Sequence, residues 1–191
     1  MSVSKDSLQA LVDNPTKPVP VKKRKKAVNG KQKGNAFERD IANMLSDRFK
    51  EHLGMDQGFR RNPDSGSFFG GKNQQRTETH DTEFAVFGDL ICPRSFLWNI
   101  ECKNYKEAPS FDALLKGKIP VWDGWLAQND QDAKNAEKHP LLIVKYNRTK
   151  VFVVIPETLG PQDCEPVMHY GSNLIFTLEA FLEFPDVFFF E

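Results

Sequence analysis

Phe37, Ile41, Met44, Leu45, Phe49 and Leu53 recur every three or four positions with charged residues between them, a single apolar stripe that predicts a helix over residues 36 to 52. Asn35 stands at the N-cap position of that helix, and Glu38 follows three residues later, where a carboxylate can reach back to the cap's amide. Gly54 and Gly58 close the element. The stretches "EFAVFGDLICP" and "FLWNIECKN" then change to strand character, and the turn between them, Pro93-Arg94-Ser95, is too short for a parallel crossover, so an antiparallel hairpin is expected. Residues 111 to 116 predict a short helix and 122 to 138 a longer one, with Trp122 and Trp125 as core positions. "PLLIVKYN" and "KVFVVIP" are rich in β-branched residues and flank "NRTK", a second hairpin. The tail, "NLIFTLEAFLEFPDVFFFE", predicts a strand, a helix opening at Thr177 and an aromatic end that packs on the core or on a partner. This order of helices and hairpins argues an α/β fold, a mixed central sheet flanked by helices.

Two segments fall outside the pattern. "FRRNPDSGSFFGGKNQQRTETHD" is rich in Gly, Ser and Asn and reads as a long surface loop, locally basic through Arg60, Arg61, Lys72 and Arg76. "NPTKPVPVKKRKKAVNGKQKGN" has few apolar anchors and cannot bury enough surface to offset its ordering entropy, which makes residues 1 to 33 an expected disordered basic arm. A main domain over 34 to 160 and a C-terminal extension over 161 to 191, packed on the core or at an oligomer interface, complete the expected organisation.

The formal net charge of zero hides this division: residues 14 to 37 carry eight Lys or Arg and no acid, while from Glu38 onward 17 basic residues face 24 acidic ones, a net charge of −7. A basic arm on an acidic body suits attraction to a polyanion without reading its sequence. With 39% hydrophobic residues in a 191-residue chain, one sizeable core is affordable. No run approaches the roughly 18 apolar residues of a membrane span, and no secretory pattern opens the chain, so a cytoplasmic protein with no membrane partner is expected. Cys92, Cys102 and Cys164 have no metal-like spacing and read as reduced thiols.

Candidate chemistry gathers at "GDLICPRSFLWNIECKNY". Alternate side chains of a strand share a face, so Glu101 and Lys103 point together while Cys102 turns to the core. Asp89, on the preceding strand, would share that end of the sheet with Glu101. Two carboxylates and the Cys102 backbone carbonyl make an oxygen-rich hollow suited to a hard cation such as Mg²⁺, with Mn²⁺ able to substitute, and unsuited to zinc. Lys103 beside it could orient or help deprotonate the water that phosphodiester hydrolysis requires. The alternative for a Glu-x-Lys pair is a solvated strand end of little energetic worth.

These residues, taken in order, resemble the PD-(D/E)xK nucleases, and within them the Holliday-junction resolvases of archaea and related phage endonucleases. "GNAFERDIANML" is similar to the family's opening helix, implying Glu38 at the site, directly or through a water, with Arg39 beside it. "RRNPDSGS" is similar to its arginine and small-residue loop, implying Arg60 or Arg61, Ser65 and Ser67 as phosphate or junction contacts. "FGDL" and "IECK" match the metal-binding signature as Asp89, Glu101 and Lys103, with Gly88 where the signature carries proline. "WLAQNDQDAKNA" resembles the later helix whose glutamine supports the lysine, Gln128 first and Gln131 second. The resemblance runs from about Gly34 to Pro156 and implies a restriction-endonuclease-like fold and a Mg²⁺-dependent DNA endonuclease that cuts branched DNA as a homodimer, with no small-molecule cofactor. The alternatives are a restriction-type or exonucleolytic nuclease, or a catalytically idle nucleic-acid-binding module.

Overall fold

The computed structural model describes residues 29–63 and 87–191. The basic arm as far as residue 28, the loop positions Ser65, Ser67, Lys72 and Arg76, and the strand expected over residues 83 to 86 lie outside the described residues.

Helix α1 spans Gly30–Arg48, and after a break at Phe49 a single turn, α2, spans Lys50–Leu53. Asn29, not Asn35, caps α1: its side chain accepts from the Lys31 amide at 3.2 Å. The helix therefore takes in Gly30 to Lys33, which the sequence reading assigned to the arm. Those residues add no apolar position to the stripe and include a glycine, which costs a helix about 1 kcal/mol relative to alanine, so neither periodicity nor propensity marks them. The C-terminal stop is as read, with Gly54 in the left-handed region at φ 63°.

Two short strands, β1 (Arg60–Arg61) and β2 (Leu90–Ile91), pair antiparallel. Of the hairpin expected between the Asp89 segment and its successor, the described part differs: the ladder partner of Leu90–Ile91 is β1, and Asp89 docks by single hydrogen bonds onto β3 (Trp98–Tyr105). The cause is local. Gly88 adopts φ 80°, and a Cβ there would lie 2.6 Å from the Ile100 carbonyl oxygen. Proline, fixed near −65°, cannot take that conformation, which explains why glycine replaces it in the signature.

After β3 come α3 (Phe111–Leu115), capped by Ser110, and α4 (Pro120–Asn135), with proline in its first turn. They form the crossover to β4 (His139–Tyr146), which pairs parallel with β3 over its whole length. β5 (Val151–Pro156) returns antiparallel to β4 as the second hairpin predicts. β6 (Met168–Tyr170), β7 (Asn173–Thr177) and α5 (Leu178–Leu182), capped by Thr177, follow. The sheet order is β3-β4-β5-β7-β6, one parallel pair among antiparallel ones, so the fold is α/β with a mixed sheet flanked by helices, consistent with a restriction-endonuclease-like domain.

The strand period of two divides the core. Ile100, Cys102, Leu141, Ile143, Val153 and Ile155 meet α1 on one side; Leu142, Val144, Val154 and Ile175 meet Trp122 and Trp125 of α4 on the other. The aromatic tail closes the α1 side. Phe189 and Phe190 are buried with ring centroids 4.9 Å from Phe49, and the Trp98 indole donates to the Phe188 carbonyl at 2.9 Å. Burying each phenylalanine contributes about 2 kcal/mol or more, with edge contacts adding roughly 1 kcal/mol. Among the described residues no helix is long and apolar enough to cross a membrane. The three cysteines are free, Cys102 buried and Cys92 and Cys164 only partly so.

Candidate active site

Among the described residues β3 is an edge strand of the five-stranded sheet, with β4 on one side and no strand paired on the other. Asp89 occupies that edge. Its amide donates to the Ile100 carbonyl at 2.8 Å, and its Oδ2 accepts from the Cys102 amide at 2.8 Å. In a strand the N–H and C=O of one residue point to the same side, so the Cys102 carbonyl faces the same edge as the Asp89 carboxylate. Asn62, buried beside β1, fixes the approach: its amide donates to the Asp89 carbonyl at 2.8 Å and its Nδ2 to the Gly88 carbonyl at 3.0 Å.

Glu101 and Lys103 project from the opposite face to Cys102, toward α4. Lys103 Nζ donates to Glu101 Oε1, and Gln128 Nε2 from α4 donates to the same oxygen at 3.2 Å. Gln128 thus supports Glu101; the bond to Lys103 implied by the resemblance is not the one present, although both donors meet on one oxygen. Gln131 bonds Asn135 at 3.0 Å on the exposed side of α4. One turn beyond Gln128, Asp132 is buried and accepts from the Gln128 amide. The sequence reading missed it. The signal was its four-residue spacing from Gln128, which puts both on one helix face.

Glu38 comes to the site from the other layer. It lies in the third turn of α1, far from the cap, so the capping role is excluded. Its side chain is 11% exposed and its Oε2 accepts from Arg61 Nε at 2.6 Å; Arg61 also donates to Asn35 Oδ1 at 3.2 Å. Arg61 is accordingly committed to Glu38, whereas Arg60 and Arg39 are exposed.

The electrostatics centre on Asp89. Burial first, and then the Asp89 charge, push the Glu101 carboxyl up to about 7 against the opposing pull of Lys103. Burial and then Asp89 also raise Glu38, against its hydrogen bond from Arg61. Burial raises Asp132 as well. For Lys103 burial works to lower the pKa, but Glu101 and then Asp89 outweigh it and hold the ammonium above its ordinary value. The site therefore concentrates partly buried carboxylates against few cations, an arrangement that a bound cation would relieve.

Among the described residues no group of three or more His, Cys, Asp or Glu side chains is arranged to hold a metal ion. Oxygen donors such as Asp89, Glu101 and the Cys102 carbonyl are of the kind that hard divalent cations take.

No curated protein and no solved structure matches this chain. The family described as "Phage putative PDDEXK endonuclease" matches residues 29–173, which spans both acids, the lysine, Glu38 and Gln128. With about three quarters of its length matched, the chain belongs to this phage PDDEXK endonuclease family, within the PD-(D/E)xK nuclease superfamily.

Proposed function

We propose that the protein is a Mg²⁺-dependent endonuclease that hydrolyses phosphodiester bonds in branched or otherwise structured DNA, of which a Holliday junction is the type implied by the resemblance. The observation that carries the reading is the seating of the Asp89 carboxylate on the Cys102 amide, beside the buried Glu101–Lys103 pair. Asp89, Glu101 and the Cys102 carbonyl would hold the cation, with Glu38 completing the site directly or through a water. When bound, the ion supplies Lewis-acid stabilisation of charge building on the phosphate and a more acidic water. Lys103, an ammonium at neutral pH, would orient the attacking water and oppose negative charge on the scissile phosphate. Gln128, backed by Asp132, fixes the Glu101 carboxylate so that its free oxygen is aimed consistently.

Arg60, Arg39, Ser65, Ser67, Lys72 and Arg76 would contact phosphates around the cut, and the basic arm would add affinity that falls with salt. Two matched cuts across a junction need two sites, so a homodimer is proposed with that substrate.

The test is a cleavage assay with labelled duplex, single-stranded, flapped and four-way DNAs in Mg²⁺, in Mn²⁺ and in chelator. The reading requires internal cuts that depend on the cation and favour a branched substrate. Cleavage that ignores branching, or proceeds only from ends, replaces the substrate assignment by a restriction-type or exonucleolytic one. Binding with no cleavage in any cation replaces the enzyme by a binding module.

A further inference from the structure

At the last residues of β3 lies a second feature, a half-open cavity of about 630 Å³ between the start of α1, the end of β3 and the β4–β5 turn. Its volume lies in the range of pockets that hold small ligands, roughly 300–1,000 Å³. Its lining includes Lys33, Lys103 and Lys106, and among the described residues no acid lines it. In a folded body that otherwise carries an excess of acids, three lysines line one hollow, of which Lys103 and Lys106 also pair with Glu101 and Glu107.

Lys33 is the informative member. It belongs to the run expected to be disordered, yet it sits in the first turns of α1, and its Nζ reaches the Tyr105 carbonyl at 3.2 Å and Asn147 Oδ1 at 2.8 Å. Both partners are neutral oxygens, so its charge faces the cavity without a carboxylate against it among these contacts. Lys103, by contrast, is matched to Glu101, and Lys106 to Glu107 on the exposed surface. Gly30 and Gly34, one turn apart, form the α1 side of the wall. A Cβ at Gly34 would stand 3.8 Å from Glu38 Oε1, and one at Gly30 would meet nothing within 4 Å. The helix backbone is thereby bared toward the cavity at a cost of about 1 kcal/mol per glycine.

We propose that this cavity is a phosphate subsite for the bound nucleic-acid strand, seating a phosphate next along from the one to be cut, with Lys33 and Lys106 as its cations and Lys103 shared with the chemistry. The assignment to a neighbouring phosphate rests on the nuclease reading; the site's preference for a strand phosphate does not need cleavage to be observed.

The experiment is equilibrium binding of the full chain to a labelled DNA probe in chelator, where no chemistry is required, over a series of salt concentrations. Lys33→Ala and Lys106→Ala should each weaken binding 3- to 10-fold at about 100 mM salt and flatten the slope of log K against log salt by about 0.7–0.9, the loss of one phosphate contact. Lys134→Ala, at the far end of α4, should leave affinity within twofold. Gly34→Leu should keep or raise the melting temperature, since it removes a helix glycine, yet weaken binding at least 10-fold by filling the cavity. Wild-type slopes in both lysine variants overturn the proposal, as does a Lys33→Ala variant that melts lower with its slope unchanged, because Lys33 would then only staple α1 to β3. An equal loss in Lys134→Ala also overturns it, net charge being the cause. Failure of the nuclease reading is scored separately, by the cleavage panel in Mg²⁺ and Mn²⁺.

Discussion

The two faces of β3 are one residue out of phase and do opposite work. Toward α1, Ile100 and Cys102 enter a core of hydrocarbon, closed by Phe49 and the C-terminal phenylalanines. Toward α4, Glu101 and Lys103 are nearly as well buried, with side chains 5% and 18% exposed, but what they meet is Gln128 and, through it, Asp132. Burial on the first face stabilises the fold. On the second it works against the fold, because a desolvated carboxylate costs free energy that Lys103 only partly returns. A strand that accepts such a cost at one position of its interior marks a candidate site, where a use other than stability would account for the residue.

Breaking the second face should therefore cost activity and spare the fold. Glu101→Gln is expected to reduce single-turnover cleavage by 10³-fold or more, about 4 kcal/mol of transition-state stabilisation, while leaving the melting temperature in chelator unchanged or higher. Lys103→Ala should lose cleavage on the same scale and retain DNA binding. A variant at either position that cleaves at a tenth of the wild-type rate would remove that residue from the catalytic centre. On the first face the result should invert. Ile100→Ala, at a fully buried site, should cost about 2–5 kcal/mol of stability by denaturant titration, and the fraction that remains folded should cleave at a rate close to wild type.

The faces also differ in how they answer to pH. The folded-state pKa of Glu101, about 7, lies above the ordinary carboxylate value of 4.5. Between these values the folded chain holds a proton that the unfolded chain has released, so stability falls as pH rises through this window and the full cost is present above it. Glu38 and Asp132, also raised, act with the same sign. In chelator, moving from pH 5 to pH 8 should lower unfolding free energy by an amount on the order of 2 kcal/mol, and Glu101→Gln should remove most of that slope. Millimolar Mg²⁺ or Mn²⁺ at pH 8 should restore the lost stability, by mass action on the folded state. Stability that is flat across this range would mean that Glu101 is neutralised by Lys103 alone.

Much of this was readable before the fold. The stripe from Phe37 to Leu53 and the β-branched runs around "NRTK" repeat a period long enough to specify an element. Asp89, Glu101 and Lys103 stood out because charges interrupt an apolar strand. What escaped is non-local or lacks a period. The first turn of α1 carries no apolar residue, so its cap at Asn29 was invisible and Lys33 was lost to the arm. The partner of Leu90–Ile91 is set by Gly88 and Asn62, through a positive φ and two hydrogen bonds that no pattern announces. The parallel pairing of β3 with β4 follows from the crossover through α4, which sequence-adjacent hairpins conceal. The commitment of Arg61 to Glu38, rather than to solvent, is likewise a matter of packing between layers.

The smallest expected effect sharpens the comparison most, because it asks how far the second face extends. Asp132 makes its contact with the Gln128 side-chain amide, which in turn holds Glu101 Oε1. On the proposed chemistry it would act as a positioning residue, through Gln128. Asp132→Asn keeps the size of the side chain and a carbonyl to accept from Gln128, but it removes a charge that contributes to raising Glu101. Cleavage should fall about 10-fold in kcat, the scale of outer-shell partners, with KM near wild type. The acidic limb of the pH–rate profile should move to lower pH, because Glu101 ionises more readily once a neighbouring negative charge is gone. A purely packing role for Asp132 would lower the melting temperature and leave the profile where it was. If Asp132→Asn shifts the profile without lowering stability, the chemistry on this side of β3 extends through α4, and the hydrocarbon side has no counterpart to it.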